Sequence, residues 1–390
     1  TLTKFVTPYL NSFLPAEQAL QRSDTVYIFG VGLLSFAIVM IFAGTVQAKI
    51  GPMKTAMLGG IVLGIGIILS AFMTTLLGMI ITYGVIFGAG IGLAYVVPIA
   101  TAQKWFPDKV GLITGIAVAG FGAGAFIFNY VIQALAELGI AVLFIILGII
   151  LMALVILGAL VMKVPPAGWK PEGWESPAPK AGAASSADFT RNETIKTQSF
   201  YVLWIMYTLS ALAGLMVIGA YSAFAAAKNS TTNEFLYPAI SIVDVVLLGG
   251  IGALFNGIGR IIWGKIADAL TYRKALTYML IIQSVLMYVY YFTNVNYPFY
   301  FVVNCLIIFC FGGNLSLFPT ATKDLFGTKN FSSNYGVVFT AYGIAGFLGA
   351  TMVQTFVNLF GGYMQLFIVV GVLSTISLAL SFILKAPEKR

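Results

Sequence analysis

Histidine is absent from this sequence, and cysteine is nearly so. The 390 residues include no His and only two Cys, Cys305 and Cys310. The two cysteines lie five residues apart in one apolar run, so on a helix they do not share a face, which disfavours a disulfide. With no His and no cysteine cluster, we expect no metal site and no bound cofactor, and we interpret both cysteines as small buried residues.

Charge is also scarce. Charged residues make up 9% of the chain and hydrophobic residues 59%, whereas a soluble domain has about 25% charged residues. Apolar runs of about 20 residues recur along the whole length, and each can cross ~30 Å of hydrocarbon. Such a run must be helical in lipid, because only a helix satisfies its own backbone groups there. The sequence therefore predicts an all-α transmembrane protein.

We predict eleven complete membrane spans and one incomplete first span. The stretch from Thr1 to about Phe13 is too short to span, and we interpret it as the end of a helix whose start precedes this numbering. The complete spans are predicted at residues 25–47, 53–72, 75–101, 110–133, 140–163, 200–226, 239–265, 274–292, 297–320, 332–357 and 363–384.

The basic residues indicate topology. The net charge is +8, but the charges sit in short loops between apolar runs, so we expect no nucleic-acid partner. Of the 21 Lys and Arg residues, 17 fall on one side, while Arg22 and Lys228 lie opposite and Lys4 and Arg260 fall within apolar helices. By the positive-inside rule, the first side and both termini are predicted to be cytoplasmic, in a protein of the cell membrane.

A polar segment divides the chain. Residues 164–198 are rich in Pro, Gly, Ala and Ser and are predicted to form a cytoplasmic linker. We therefore predict an N-terminal six-helix half at 1–163, with its first helix incomplete, and a C-terminal six-helix half at 199–390.

The two halves resemble each other in sequence. Gly44 and Lys54 match Gly264 and Lys274 at an offset of 220, and Gly115 and Gly122 match Gly336 and Gly343 at 221. Repeated halves are typical of secondary transporters, whose substrate site lies near the midplane between them.

The paired loops after the second and eighth spans resemble the major facilitator superfamily signature G-x-x-x-D-x-x-G-x-[RK]-[RK]. The resemblance implies twelve helices in two pseudo-symmetric six-helix halves, and a cytoplasmic latch that holds the outward-facing state. The first copy has Ala48 at the acidic position, which weakens the expected latch in that half. The implied latch residues are Gly44, Gly51, Lys54, Gly264, Asp268, Arg273 and Lys274.

A narrower resemblance covers essentially the whole chain. Trp105-Phe-Pro-Asp-Lys109, the stretch 254–264 and Asn334-Tyr-Gly336 resemble motifs of the oxalate–formate antiporter family and its monocarboxylate-carrier relatives. This resemblance implies that Arg260 binds the carboxylate of a small anion and that Tyr95 faces the same cavity. Asn256 lies one turn before Arg260 on the same face.

The residues alone point the same way for Arg260. An arginine within an apolar helix costs several kcal/mol unless it faces a cavity or a partner, and a guanidinium matches a carboxylate with two parallel hydrogen bonds. The acid nearest to mid-span is Asp244, toward the outer end of the same helix, where it suits the interface. Composition alone leaves other roles open for these residues. Arg260 could extend its side chain toward the cytoplasmic interface, Asn256 could form a hydrogen bond between helices, and Tyr95 could simply pack against a neighbouring helix.

The expected substrate is a monocarboxylate such as lactate, pyruvate, acetate or formate. Family members specialised for a dicarboxylate carry a second cation, a lysine, where this chain has Tyr342. Lys4 suits the outer interface, although it is also a candidate second cation.

We therefore predict a monomeric proton-coupled monocarboxylate symporter that works by alternating access, with an oxalate/formate-type anion exchanger as the alternative. Whether the carrier has an accessory subunit stays open. A membrane enzyme, a sensor or a channel is disfavoured, because the spans carry no paired carboxylates and the repeated halves suit alternating access.

Overall fold

The computed structural model describes residues 3–166, 168–173, 188–225, 242–293, 296–351, 353–360 and 363–388. Throughout these ranges the regular structure is helical, with no β-strand. The predicted all-α fold with two six-helix halves is therefore confirmed. The exact limits of the halves, at residues 163–164 and 198–199, stay a prediction.

The N-terminal half contains α1 to α6. Their bounds are Thr3–Asn11 for α1, 22–50 for α2, 52–70 for α3, Leu76–Trp105 for α4, Val110–Ala136 for α5 and Ile140–Leu160 for α6. The helix Arg22–Ser70 counts as two because Gly51 breaks it, with φ 83° and ψ 167°. Glycine adopts this left-handed φ without steric cost, and Pro52 suits the first position of the helix that follows.

The C-terminal half contains α7 to α12. Their bounds are Gln198–Ala225 for α7, Ile242–Ala269 for α8, Tyr272–Tyr291 for α9, Tyr297–Phe326 for α10, 331–360 for α11 and Tyr363–Ile383 for α12. Helix α11 consists of three segments, Phe331–Val338, Thr340–Thr351 and Val353–Phe360. Thr271 and Asn296 cap α9 and α10 with their side chains, which satisfies backbone N–H groups at the helix starts.

Several predicted spans end too early, among them those of α4, α8 and α10. Helix α4 continues from the predicted residue 101 to Trp105, and α10 continues from 320 to Phe326. Hydropathy falls where polar side chains begin, but the backbone hydrogen bonds continue past that point. In α10 the extra turns carry the ion pair between Lys323 and Asp324, at 3.3 Å, and the helix ends at Gly327, with φ 86°.

The helices are long and apolar enough for a bilayer. Within the described ranges, eight helical stretches meet both conditions, the unbroken Asp24–Ser70 being one of them. Large apolar side chains such as Leu154, Leu157 and Phe382 are exposed on the outside of the bundle. Surface of this kind suits hydrocarbon rather than water, as expected of an integral membrane protein.

The most extensive contacts between the halves are made by two pairs of helices, which we call the α5–α8 seam and the α2–α11 seam. In the α5–α8 seam, Gly115 lies against the backbone of Arg260, and Gly122 lies against Gly257. In the α2–α11 seam, Gly336 lies against the backbone of Met40, and Gly343 against Ala37. Small residues let two backbones approach closely, which is how helices associate in lipid.

Both ends of the linker are attached to the helices. On the N-terminal side, the Trp169 indole N–H donates to the carbonyl of Trp105 at 3.1 Å, and the Trp105 indole donates to that of Lys163 at 2.7 Å. On the C-terminal side, the Asn334 side chain donates to the carbonyl of Phe189 at 2.9 Å, and Phe189 is buried. Each half thus holds its own end of the linker.

Candidate functional site

Arg260 is held inside the protein, on α8 beside α5. Its side chain is 4% exposed, which excludes the snorkelling interpretation in this conformation. Nε donates to Asn256 Oδ1 at 2.9 Å, and Nη1 donates to the Val118 carbonyl at 2.6 Å. Asn256 lies one helical turn earlier on the same face, so it fixes the orientation of the guanidinium.

The guanidinium retains binding capacity. Arginine has five N–H donors, and Asn256 and Val118 take two of them. Its central carbon lies 5.4 Å from the centroid of the Phe121 ring, which gives a cation–π contact but no hydrogen bond. Three N–H groups are therefore left without a partner among the described residues, enough for a bidentate carboxylate.

No acidic side chain neutralises Arg260 within the part of the chain that the structure describes. The two ion pairs found there are Lys109–Asp108 and Lys323–Asp324. A buried, unpaired charge is expensive, so this position favours an anion. The side chains of Asp244 and Lys4 lie outside the described part, although the backbone of Lys4 belongs to α1.

Four tyrosines surround the guanidinium. Arg260 interacts electrostatically with Tyr95 of α4, Tyr207 of α7, and Tyr335 and Tyr342 of α11. Phe339 connects the group, because its ring contacts all four tyrosine rings at centroid distances of 4.9 to 6.3 Å. The sequence-predicted residues Tyr95, Asn256, Arg260 and Tyr342 are therefore brought together in one place.

Two residues of this group were missed by the sequence reasoning. Tyr207 and Tyr335 are both fully buried. The hydroxyls of Tyr95, Tyr207 and Tyr335 make no hydrogen bond of good geometry to a described residue, although the Tyr335 hydroxyl lies close enough to interact with those of Tyr95 and Tyr207. The position of Tyr335 within the Asn334-Tyr-Gly336 motif is the one signal in the sequence that could have drawn attention to it.

The predicted latch residues of the second copy meet the opposite half. Asp268, at the end of α8, accepts hydrogen bonds from the backbone N–H groups of Gly111 and Leu112, both at 2.7 Å. It thereby caps the N-terminus of α5, where a negative charge is favoured. Gly264 packs directly on the backbone of Gly111, so only glycine fits at this contact.

The first copy makes a parallel contact with different chemistry. A Cβ added to Gly44 would lie 2.6 Å from the backbone nitrogen of Ser333, so α2 meets the start of α11 as α8 meets α5. Ala48 is exposed, but its neighbour Gln47 accepts a hydrogen bond from the Ser332 hydroxyl at 3.0 Å. Gln47 was not predicted.

The basic residues of the two loops take little part in these contacts. Lys54 and Lys274 are exposed and belong to neither of the ion pairs of the described chain. Arg273 is half-buried and interacts with the adjacent Tyr272. At Gly51 no atom of a described residue lies within 4 Å of the place where a Cβ would stand, so its role is to form the turn.

A cavity of about 350 Å³ lies within the N-terminal half, among α3, α4, α5 and α6. It reaches Tyr95 and Phe121, whereas Arg260 is not part of its wall. Its lining includes Leu63, Ile91 and Val155, and these side chains offer nothing that binds a carboxylate. The polar chemistry is therefore at Arg260, which is not part of the cavity wall.

Comparison with known families decides the classification. The profile of the Major Facilitator Superfamily matches residues 2–350. The chain belongs to this superfamily. As a member of the Major Facilitator Superfamily it is a membrane transporter and not an enzyme, and its twelve helices are those of the superfamily fold.

This superfamily member is similar in fold to a solved transporter. The structure of FucP, a Major Facilitator Superfamily transporter in the outward conformation, superposes with a TM-score of 0.68, covering 99% of this chain and 96% of that one. The sequence identity is 14%, so the likeness concerns the fold alone.

Three relatives have higher identity to this superfamily member. The uncharacterized MFS-type transporter YhjX of Escherichia coli is 28% identical, over 86% of this chain and 79% of its own length. The oxalate:formate antiporter of Oxalobacter formigenes is 27% identical, over 85% of this chain and 75% of its own length. The apicoplast pyruvate carrier 1 of Toxoplasma gondii is 25% identical, over 84% of this chain and 69% of its own length.

Proposed function

We propose that this transporter is a secondary carrier of small monocarboxylates, with Arg260 binding the carboxylate. The observation that carries the proposal is a buried guanidinium oriented by Asn256 and Val118, with three N–H groups unused and no acidic partner among the described residues. The names of two relatives, an oxalate:formate antiporter and a pyruvate carrier, agree with a small carboxylate substrate.

A single negative charge fits the site best. Arg260 supplies one positive charge, and the groups around it are neutral tyrosines. Tyr342 can donate a hydrogen bond to a carboxylate but cannot neutralise a second charge. A monocarboxylate therefore balances the site, whereas a dicarboxylate such as oxalate would bury a net negative charge.

Alternating access would then proceed by rocking of the two halves about the seams. The contacts of Asp268 with Gly111 and Leu112, and of Gln47 with Ser332, join the two halves at one end of the bundle. We assign this end to the cytoplasm of a cell-membrane carrier, because the basic loops lie on this side. These contacts would hold the cytoplasmic side closed and would break when the carrier faces inward.

Coupling to a proton follows from charge balance. One monocarboxylate together with one proton is electroneutral, so the pair crosses without work against the membrane potential and needs no second cationic site. The carrier would work as a monomer, since both seams lie within one chain.

The decisive test is uptake of radiolabelled L-lactate and oxalate into proteoliposomes, with and without an inward proton gradient. Wild type should accumulate lactate only with the gradient. Arg260→Ala should lower uptake about 100-fold, because a charge-assisted contact to a carboxylate contributes about 3 kcal/mol. Arg191→Ala, which removes a cation from the linker, serves as the control. Wild-type uptake by Arg260→Ala would refute the role of Arg260.

The second candidate is an oxalate/formate-type exchanger, favoured by the relative from Oxalobacter formigenes. In that case Lys4 would supply the second cation. Oxalate uptake would require an anion inside the vesicle and ignore the proton gradient, and Lys4→Ala would abolish it. Failure of oxalate to compete with lactate would eliminate this candidate.

A further inference from the structure

Three buried tyrosine hydroxyls meet beside Arg260, and none of them makes a good hydrogen bond to a described residue outside the group. They belong to Tyr95 on α4, Tyr207 on α7 and Tyr335 on α11. The Tyr335 hydroxyl interacts with those of both Tyr95 and Tyr207 through weak hydrogen bonds, and Tyr207 interacts electrostatically with Tyr95. The three oxygens therefore form one cluster rather than three separate gaps in hydrogen bonding.

Packing accounts for the rings but not for the hydroxyls. Tyr207 stacks on Phe318 at 4.1 Å with an interplanar angle of 8°, and Tyr335 stacks on Phe331 at 5.6 Å and 11°. Tyr95 meets the edge of Phe36 at 5.1 Å. Phenylalanine would fill all three positions equally well, and it would avoid the penalty of burying a poorly paired hydroxyl.

The rings also fix where the hydroxyls point. A tyrosine oxygen lies on the axis of its ring, so a ring clamped between neighbours leaves the oxygen little freedom. The three donors are thus oriented before any ligand arrives, which is what a specific polar subsite needs. Hydroxyls suit an uncharged oxygen, since they both donate and accept.

We propose that the hydroxyls of Tyr95, Tyr207 and Tyr335 form a second subsite, which binds the oxygen on carbon 2 of a 2-hydroxy or 2-oxo monocarboxylate. The proposal rests on the proposed function, in which Arg260 holds the carboxylate of the same molecule. Tyr207 and Tyr335 are then specificity-determining residues, which distinguish lactate or pyruvate from propionate.

The subsite also joins the two halves of the carrier. Tyr95 belongs to the N-terminal half, while Tyr207 and Tyr335 belong to the C-terminal half. A carbon-2 oxygen held by all three would bridge the halves directly. An acid without that oxygen would bind to Arg260 but would leave the three hydroxyls with only one another as partners, which makes its occluded state less stable.

The test compares two acids that differ only by the hydroxyl. Uptake and mutual competition of L-lactate and propionate are measured in proteoliposomes for wild type, Tyr207→Phe, Tyr335→Phe and the double variant. Wild type should prefer lactate over propionate roughly tenfold. In each single variant this lactate-to-propionate ratio should fall roughly fivefold. The lactate KM should rise while the propionate KM stays unchanged, because phenylalanine preserves the packing.

A matched control removes a tyrosine hydroxyl elsewhere. Tyr83→Phe alters a ring that contacts Phe87 and Phe144 in the N-terminal half, and it should leave the lactate-to-propionate ratio unchanged. A ratio that stays at the wild-type value in the double variant would overturn the subsite while leaving the role of Arg260 intact. Equal losses for both acids would overturn it too, since they indicate a structural role. Wild type that transports neither acid would overturn the proposed function, and this inference with it.

Discussion

The two seams have the same packing and different chemistry. Gly115 lies on the backbone of Arg260 in the α5–α8 seam, and Gly336 lies on the backbone of Met40 in the α2–α11 seam. These contacts are related by the repeat, because Gly336 follows Gly115 by 221 residues and Arg260 follows Met40 by 220. The repeat therefore preserves the helix contacts between the halves down to the individual residue.

The polar groups follow no such symmetry. The counterpart of Arg260 is Met40, that of Asn256 is Phe36, and that of Asp268 is Ala48, at the offset of 220. One seam carries the charge and its orienting amide, while the other supplies an aromatic side chain that packs against Tyr95 at 5.1 Å. Under the proposed function a single small anion needs one cationic anchor, so packing would have to be kept in both halves and the binding charge in only one.

The largest expected effect comes from breaking the shared packing. A valine at Gly111 would drive its side chain into the backbone of Gly264, and a valine at Gly44 into that of Ser333. Overpacking typically costs about 1–3 kcal/mol, and backbone atoms cannot move aside as side chains do. We expect both variants to lose uptake and to melt at lower temperature in detergent.

Gly120→Val, also in α5, is the control for these two variants, because in the described part of the chain no atom lies within 4 Å of a Cβ built at Gly120. Its melting temperature and uptake should remain close to those of wild type. If Gly111→Val fails and Gly44→Val does not, the seams are mechanically unequal and the symmetry described above is only apparent.

A smaller effect is expected from the polar contacts at the same end. Asp268→Asn leaves one side-chain oxygen where two backbone N–H groups were bound, which should cost about 1–2 kcal/mol. Gln47→Ala removes one neutral hydrogen bond, for about 1 kcal/mol. Both variants should shift the carrier toward the inward-facing state, and Asp268→Asn should cause the larger shift. Accessibility of a single cysteine introduced between the halves measures this shift, since Cys305 and Cys310 are buried.

Equal shifts for the two variants would contradict this ranking. They would mean that Gln47 compensates fully for the missing acid at Ala48. Lys54→Ala provides the control, because its side chain is exposed and belongs to neither ion pair of the described chain.

The smallest effect is expected at Tyr342, the position at which family members specialised for a dicarboxylate carry a lysine. Tyr342→Lys would place a second cation on α11, within electrostatic reach of Arg260. We expect oxalate to compete with lactate several-fold better in this variant, while lactate uptake declines because the two cations repel each other. Tyr342→Phe, which adds no charge, should leave oxalate competition unchanged. No gain for oxalate would mean that charge balance does not select the substrate.

Much of this arrangement could be predicted from the sequence. The offsets of 220 and 221 revealed the repeat, and the glycines that carried the signal are those that pack across the seams. Arg260 stood out because a charge within an apolar helix is rare and costly. Its neighbour Asn256 followed from helical spacing alone.

Other residues left no distinct pattern. Tyr207 and Tyr335 look like any aromatic residue of a buried helix, and only the convergence of four helices shows that their hydroxyls meet. Gln47 was missed because the signature directs attention to the next position, Ala48. The last turns of α4 and α10 were missed because hydropathy falls while the backbone hydrogen bonding continues.

The attachment of the linker bears on how such a chain can evolve. Trp105 and Trp169 fasten one end to the N-terminal half, and Asn334 fastens the other end to the C-terminal half through Phe189. Neither contact depends on how many residues separate the two anchors, and the entropy of joining them rises only slowly with length. The two anchors can therefore be kept while the length of chain between them changes.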